Sequence, residues 1–158
     1  MKQGTEFQDI TRRLYAVISQ PAGERDWESV RRFYHPRATM VRTGIGEDGQ
    51  PFVLAMRFDE YVDNATALLE GVAFSEVEVS QDATVFGNVA RVASIYEFEY
   101  RTDDEVRRGR GVNFFNFVNE GAGWKIMNIV WDNERNGVSL CDAGLAAPGS
   151  ADGTHQSP

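Results

Sequence analysis

Arg108 to Glu134 reads RGRGVNFFNFVNEGAGWKIMNIVWDNE, two runs rich in β-branched and aromatic residues joined by Asn119-Glu120-Gly121-Ala122-Gly123. Such runs around a glycine-bearing connection predict an antiparallel hairpin. Both alternations of the first run are apolar, Val112, Phe114 and Val118 on one face and Phe115 and Phe117 on the other. A sheet that is apolar on both faces needs two covers. Helices supply one, and a second copy of the chain is expected to supply the other, as a homodimer.

Upstream, Val89 to Tyr100 predicts a long strand turned back by Thr102-Asp103-Asp104-Glu105. Val72 to Val79 alternates loosely before the Gly87-Asn88 turn. The N-terminal part has helical period instead. Thr5-x-x-Gln8 reads as a capping box ahead of Phe7, Ile10, Leu14, Val17 and Ile18. Asp26 caps a second short helix carrying Trp27, Val30, Phe33 and Tyr34, and Asp59 a third carrying Tyr61, Val62, Ala65, Leu68 and Leu69. Between them Ala38 to Thr43 and Pro51 to Met56 form a short strand pair. Three helices and an antiparallel meander make an α+β domain over residues 1–135, with the helices on one face of a curved sheet.

The 158 residues suit one such domain, and 42% hydrophobic with 25% charged residues is a globular composition. Twenty-four acidic against 16 basic side chains give a net charge of -8, which disfavours a nucleic-acid partner, because that affinity comes from neutralised phosphates. No run has the length of a membrane span or a signal core, so a cytoplasmic location is expected. Cys141 is the single cysteine, which rules out a disulfide framework. From Asn136 to Pro158 the chain is dominated by Gly, Ala, Ser, Asp and Pro and predicts a mobile tail, with docking of Val138-Ser139-Leu140 as the alternative.

Several motifs dissolve on inspection. Gly44-x-Gly46-x-x-Gly49 leads into a strand, not the helix that a dinucleotide phosphate requires. Asp132-x-Glu134-x-Asn136-Gly137 lacks the twelfth-position carboxylate of a calcium loop, where Ala143 stands. His35 and His155 are the only histidines, too few for a histidine-based zinc site. No metal and no cofactor are expected. Arg110 belongs to Arg107-Arg108-x-Arg110, which reads either as cross-strand partners of Asp103-Asp104-Glu105 or as a source of one inward cation.

Leu14-Tyr15, Asp26-Trp27 with Phe33-Tyr34-His35-Pro36, Ser94-x-Tyr96-Glu97, Arg110-Gly111-Val112-Asn113 and Trp124-Lys125-Ile126 running into Trp131-Asp132 together resemble a known pattern. It is that of the nuclear transport factor 2-like superfamily, with ketosteroid isomerase, scytalone dehydratase and the SnoaL-like cyclases. The strongest similarity is to SnoaL-like proteins without an assigned activity. The resemblance implies a cone-shaped barrel, a pocket between sheet and helices, and a dimer across the sheet's outer face. It places the isomerase's oxyanion tyrosine on Tyr15 and a pocket tryptophan on Trp131, whereas its two aspartates fall on Arg42 and Phe114.

The expected lining is Tyr15, Trp27, Arg42 and Arg110, with Val112, Phe114 and Asn116 from one strand and Met127, Ile129 and Trp131 from the next. No carboxyl stands among them. The chain therefore reads as a small-molecule-binding protein for an aromatic or polycyclic ligand. Any catalysis would be that of a cofactor-free lyase, isomerase or cyclase with Tyr15 polarising an oxygen. The alternative is a non-catalytic dimeric binding or protein-interaction module.

Overall fold

Phe7, Ile10, Thr11, Leu14, Tyr15 and Ile18 recur at helical spacing along one face. In the computed structural model, which describes residues 3–146, they lie on helix α1, Gln3–Ile18. Thr5 therefore falls in its first turn and not at its cap. Asp26 caps a 3-10 helix, Trp27–Phe33, by accepting the Ser29 backbone N–H at 3.2 Å. Helix α2 spans Phe58–Leu69, and its cap is Arg57, two residues before the expected Asp59. The Glu60 carboxylate holds that turn by accepting the Arg57 backbone N–H at 2.6 Å.

The strands are β1 Tyr34–Ile45, β2 Pro51–Met56, β3 Ala73–Phe86, β4 Val89–Arg101, β5 Val106–Asn119 and β6 Trp124–Asn133. They form one sheet in the order β2-β1-β6-β5-β4-β3, antiparallel except where β1 runs parallel to β6. The cone is not closed, since β2 and β3 are edges. Residues added to β3 between Glu78 and Ser80, and to β6 between Ile126 and Asn128, break the register locally. Bulges of this kind bend a strand and increase its twist.

The core lies between α1 and the sheet, where the Phe7 ring packs tilted against Phe117 and Trp124, with centroids 4.8 and 5.4 Å away. Met40, Ile126 and Ile129 fill the space beneath. On β5 two glycines face the concave side. A Cβ at Gly109 would meet the Phe98 ring at 2.7 Å, and one at Gly111 would meet the Asp132 carbonyl oxygen at 2.6 Å. Those positions let Phe98 and Tyr96 lie across the middle of the sheet.

The expected tail begins as packed structure. Leu140 is 5% exposed and sits against Ile95 and Val112 on the outer, convex face of the sheet. Glu134 holds it there, accepting the Leu140 backbone N–H at 2.7 Å while its carboxylate receives Arg110 Nε and Nη2, each at 3.0 Å. Residues 147–158, including His155, lie outside the described residues.

Arg110 is therefore an outer-face anchor and not an inward cation. Its pairing holds the Glu134 carboxyl below the usual range, and the acid raises the guanidinium in return. Arg110→Ala is expected to cost about 2 kcal/mol, the scale of hydrogen bonds to a charged group. Amide exchange should accelerate at Leu140 but not in the core of β5. Unchanged protection at Leu140 would contradict the anchoring role.

Candidate functional site

Opposed residues on neighbouring strands share a face. The row Arg42, Trp131, Asn113, Ser94, Gln81 crosses β1, β6, β5, β4 and β3 on the concave side. Its Arg42, Trp131 and Asn113 border a cavity of about 580 Å³ between α1, the 3-10 helix, α2 and the sheet. Tyr15, Trp27, Arg42, Ile129 and Trp131 line this cavity, as expected from the sequence.

Besides Arg110, four of the expected residues from the strands do not. Val112, Phe114 and Asn116 project from the outer face of β5, because Asn113, Phe115 and Phe117 take the inner one. A slip of one residue reverses every side chain of a strand. Met127 is the extra residue of the β6 bulge, so Ile126 and Ile129 both point inward around it.

What the sequence reading missed is an acid. Glu76 on β3 lines the cavity beside Asn113, whose Nδ2 lies 3.4 Å from Glu76 Oε1. That single long bond compensates little, and burial raises the carboxyl from its ordinary 4.5 to about 7. Its side chain is only partly covered because it faces the open cavity. A carboxyl raised in this way is suited both to taking and to returning a proton.

Tyr15 is tied into a chain of hydrogen bonds with a definite direction. Ser94, wholly buried, donates its one hydroxyl proton to Glu78. Tyr15 must then be the donor in its 2.7 Å bond to Ser94, leaving its oxygen to accept Asn113 Nδ2 at 3.0 Å. Glu78 accepts Gln81 Nε2 at 3.0 Å on the same oxygen as Ser94, and Thr11 Oγ1 at 3.2 Å on the other. Burial and the neighbouring Glu76 charge push the Tyr15 phenol well above its usual range. The tyrosine is thus a neutral strut that orients Asn113 beside Glu76, and its own proton is already engaged.

Aromatic rings form the wall opposite. Tyr61 of α2 stands edge-on between Trp27 and Trp131, with centroids 5.5 and 6.0 Å away. Arg107 and Arg108, both exposed at the mouth, are paired with Glu105 and Glu99 at 3.2 and 2.7 Å. Arg42 has no carboxylate partner among the described residues and lies 5.3 Å from the centroid of Phe52.

No family model matches the sequence, and no curated protein matches it either. Solved structures do. A nuclear transport factor 2-like protein with a cystatin-like fold from Novosphingobium aromaticivorans superposes with a TM-score of 0.66, covering 91% of this chain and 88% of its own at 13% identity. A nuclear transport factor 2-like superfamily protein from Salmonella enterica serovar Typhimurium gives 0.64 over 83% and 90% at 13% identity. A provisionally named dehydratase of the same family from Streptomyces avermitilis gives 0.63 over 83% and 95% at 12% identity. Helices over a curved, largely antiparallel sheet, a cavity on its concave side and these superpositions lead to one statement: this chain has the fold of the nuclear transport factor 2-like superfamily.

Proposed function

We propose that the protein binds a flat, largely apolar organic molecule in the cavity and acts on it by cofactor-independent acid–base chemistry, as a lyase, isomerase or cyclase. The observation that carries this reading is Glu76, a carboxyl raised to about 7 by burial at the edge of an aromatic-lined cavity. Perturbed acids in clefts mark sites of proton transfer more often than chance. A module that merely binds has no need to bury an acid next to a single amide.

In this reading the ionised Glu76 takes a proton from a carbon beside a carbonyl. The C–H electron pair moves into a new C=C bond as the carbonyl pair shifts to oxygen. The protonated Glu76 then returns the proton at another carbon or assists loss of a leaving group. Tyr15 is a positioning residue acting through Asn113. Trp27 and Trp131 meet the flat faces of a ligand. The test is deuterium exchange into 2-tetralone, a flat ketone with acidic C–H bonds, compared between wild type and Glu76→Gln. Equal exchange rates would favour the non-catalytic binding module.

A second copy of the chain is the proposed cover of the outer face. Phe114, 44% exposed, lies beside Val130, which in turn neighbours Val41, so an apolar band crosses β5, β6 and β1. Phe114→Arg places a charge at the centre of that band. Light scattering is expected to change from dimer to monomer at micromolar concentration, with Tm nearly unaltered in a monomeric reference state. A wild-type chain that is already monomeric would refute the dimer.

A further inference from the structure

Polar groups around the cavity differ in whether the protein itself satisfies them. Tyr15 donates to Ser94, and Tyr96 donates to Asn133 at 2.7 Å. Tyr34 and Tyr61 also line the cavity, and neither hydroxyl has a hydrogen-bond partner among the described residues. Tyr34 is only 9% exposed. A phenol buried that deeply normally finds a partner.

No fully enclosed side-chain oxygen or nitrogen lacks a hydrogen bond among the described residues. The two unpartnered hydroxyls therefore reach open space, and the space they border is the cavity. Burial raises both phenols far above the usual range, and each stands close enough that a phenolate on Tyr34 would oppose one on Tyr61. Both are consequently neutral donors at any physiological pH. The Tyr61 ring is fixed by edge contacts with Trp27 and Trp131, so its hydroxyl is held in place before a ligand arrives. Preorganised donors of this kind lose little freedom on binding.

We propose that Tyr34 and Tyr61, and not Tyr15, take the ligand's oxygen, and that the ligand class is a flat ring compound bearing an uncharged carbonyl or ether acceptor. This inference rests on the reading of the cavity as a ligand site. It assigns oxygen recognition to β1 and α2, where the resemblance to ketosteroid isomerase would place it on α1. Trp27 and Trp131 contribute indole N–H groups that likewise have no partner among the described residues, so the unused capacity of that wall is for acceptors.

Equilibrium titration with 2-tetralone and with tetralin, the same ring system without oxygen, separates the possibilities. Tyr34→Phe and Tyr61→Phe keep the ring and remove only the donor. Each is expected to weaken 2-tetralone roughly three- to tenfold, the scale of one hydrogen bond, while tetralin stays within roughly twofold of wild type. Tyr15→Phe should cost the ketone less than either. Unchanged ketone affinity in both variants, equal losses for both probes, or a larger loss in Tyr15→Phe would overturn the assignment while leaving Glu76 its role. Failure of both probes to bind wild type would overturn the assignment and the ligand-site reading together.

Discussion

Glu76→Gln is expected to slow deuterium exchange into 2-tetralone by at least about 100-fold, the lower end of what a positioned general base contributes. The variant should at the same time be more stable than wild type above neutral pH. The folded-state value of about 7 lies above the ordinary 4.5, so between those limits the folded chain holds a proton that the unfolded chain has released. Stability then falls as pH rises through that window and stays low above it. Over the full interval the loss amounts to about 3 kcal/mol, reduced by the partial access of water to the carboxyl. Glutamine carries no such burden. Denaturation of wild type between pH 5 and 8 should therefore show a decline that Glu76→Gln removes, and a flat wild-type profile would place the carboxyl outside the buried site described above. The exchange rate itself should rise with pH through about 7, because the base is the ionised form.

Gly111→Ala should destabilise the fold by about 1–3 kcal/mol, the typical cost of forced overpacking of a well-filled interior. The new methyl would meet the Asp132 carbonyl oxygen at 2.6 Å and Asn133 Oδ1 at 2.5 Å, as well as the Tyr96 hydroxyl. Side chains can withdraw, but the carbonyl belongs to β6, which pairs with β5 at Gly111↔Asn133 and Val112↔Asp132. Relief requires separating two central strands or breaking the Tyr96–Asn133 hydrogen bond of 2.7 Å. Tm is expected to fall by roughly 2–12 °C for a chain of this size. Gly109→Ala is the comparison, since the atoms met there at 2.7 and 2.8 Å belong to the Phe98 ring, which can tilt. Equal losses at the two positions would show that backbone contact is not what makes Gly111 necessary.

The secondary structure was legible because its signals are local. Pro51–Met56 and the starts of β4, β5 and β6 fall where turn residues and β-branched runs place them. Facing was legible only where the two sides of an element differ. On α1 they do, and Tyr15 lies inward. On β5 both sides are apolar, so nothing in Val112 to Val118 distinguishes the cavity from the outer face.

On β3 the pattern misleads outright. Val77 and Val79 are the apolar members of its loose alternation, yet they are 58% and 48% exposed, whereas Glu76 and Glu78 face inward. The available signal was on another element. Thr11 interrupts the apolar stripe of α1 and is fully buried, and although its hydroxyl can reach the Gln8 carbonyl of its own helix at 3.3 Å, a polar residue at that position points to a polar group opposite. Glu78 is that group, reached across 67 residues of sequence, and its parity carries Glu76 into the cavity with it.

The segment that carries Leu140 has a consequence for how two copies could meet. It occupies the Ile95 and Val112 end of the convex surface, while Phe114, Val130 and Val41 remain open beyond it. In the proposed dimer this segment would act as a bumper, limiting how far a second copy could slide along β5. Cleavage after Arg135 would remove the stop and lengthen the sticky track, turning a bounded pairing into one with several registers.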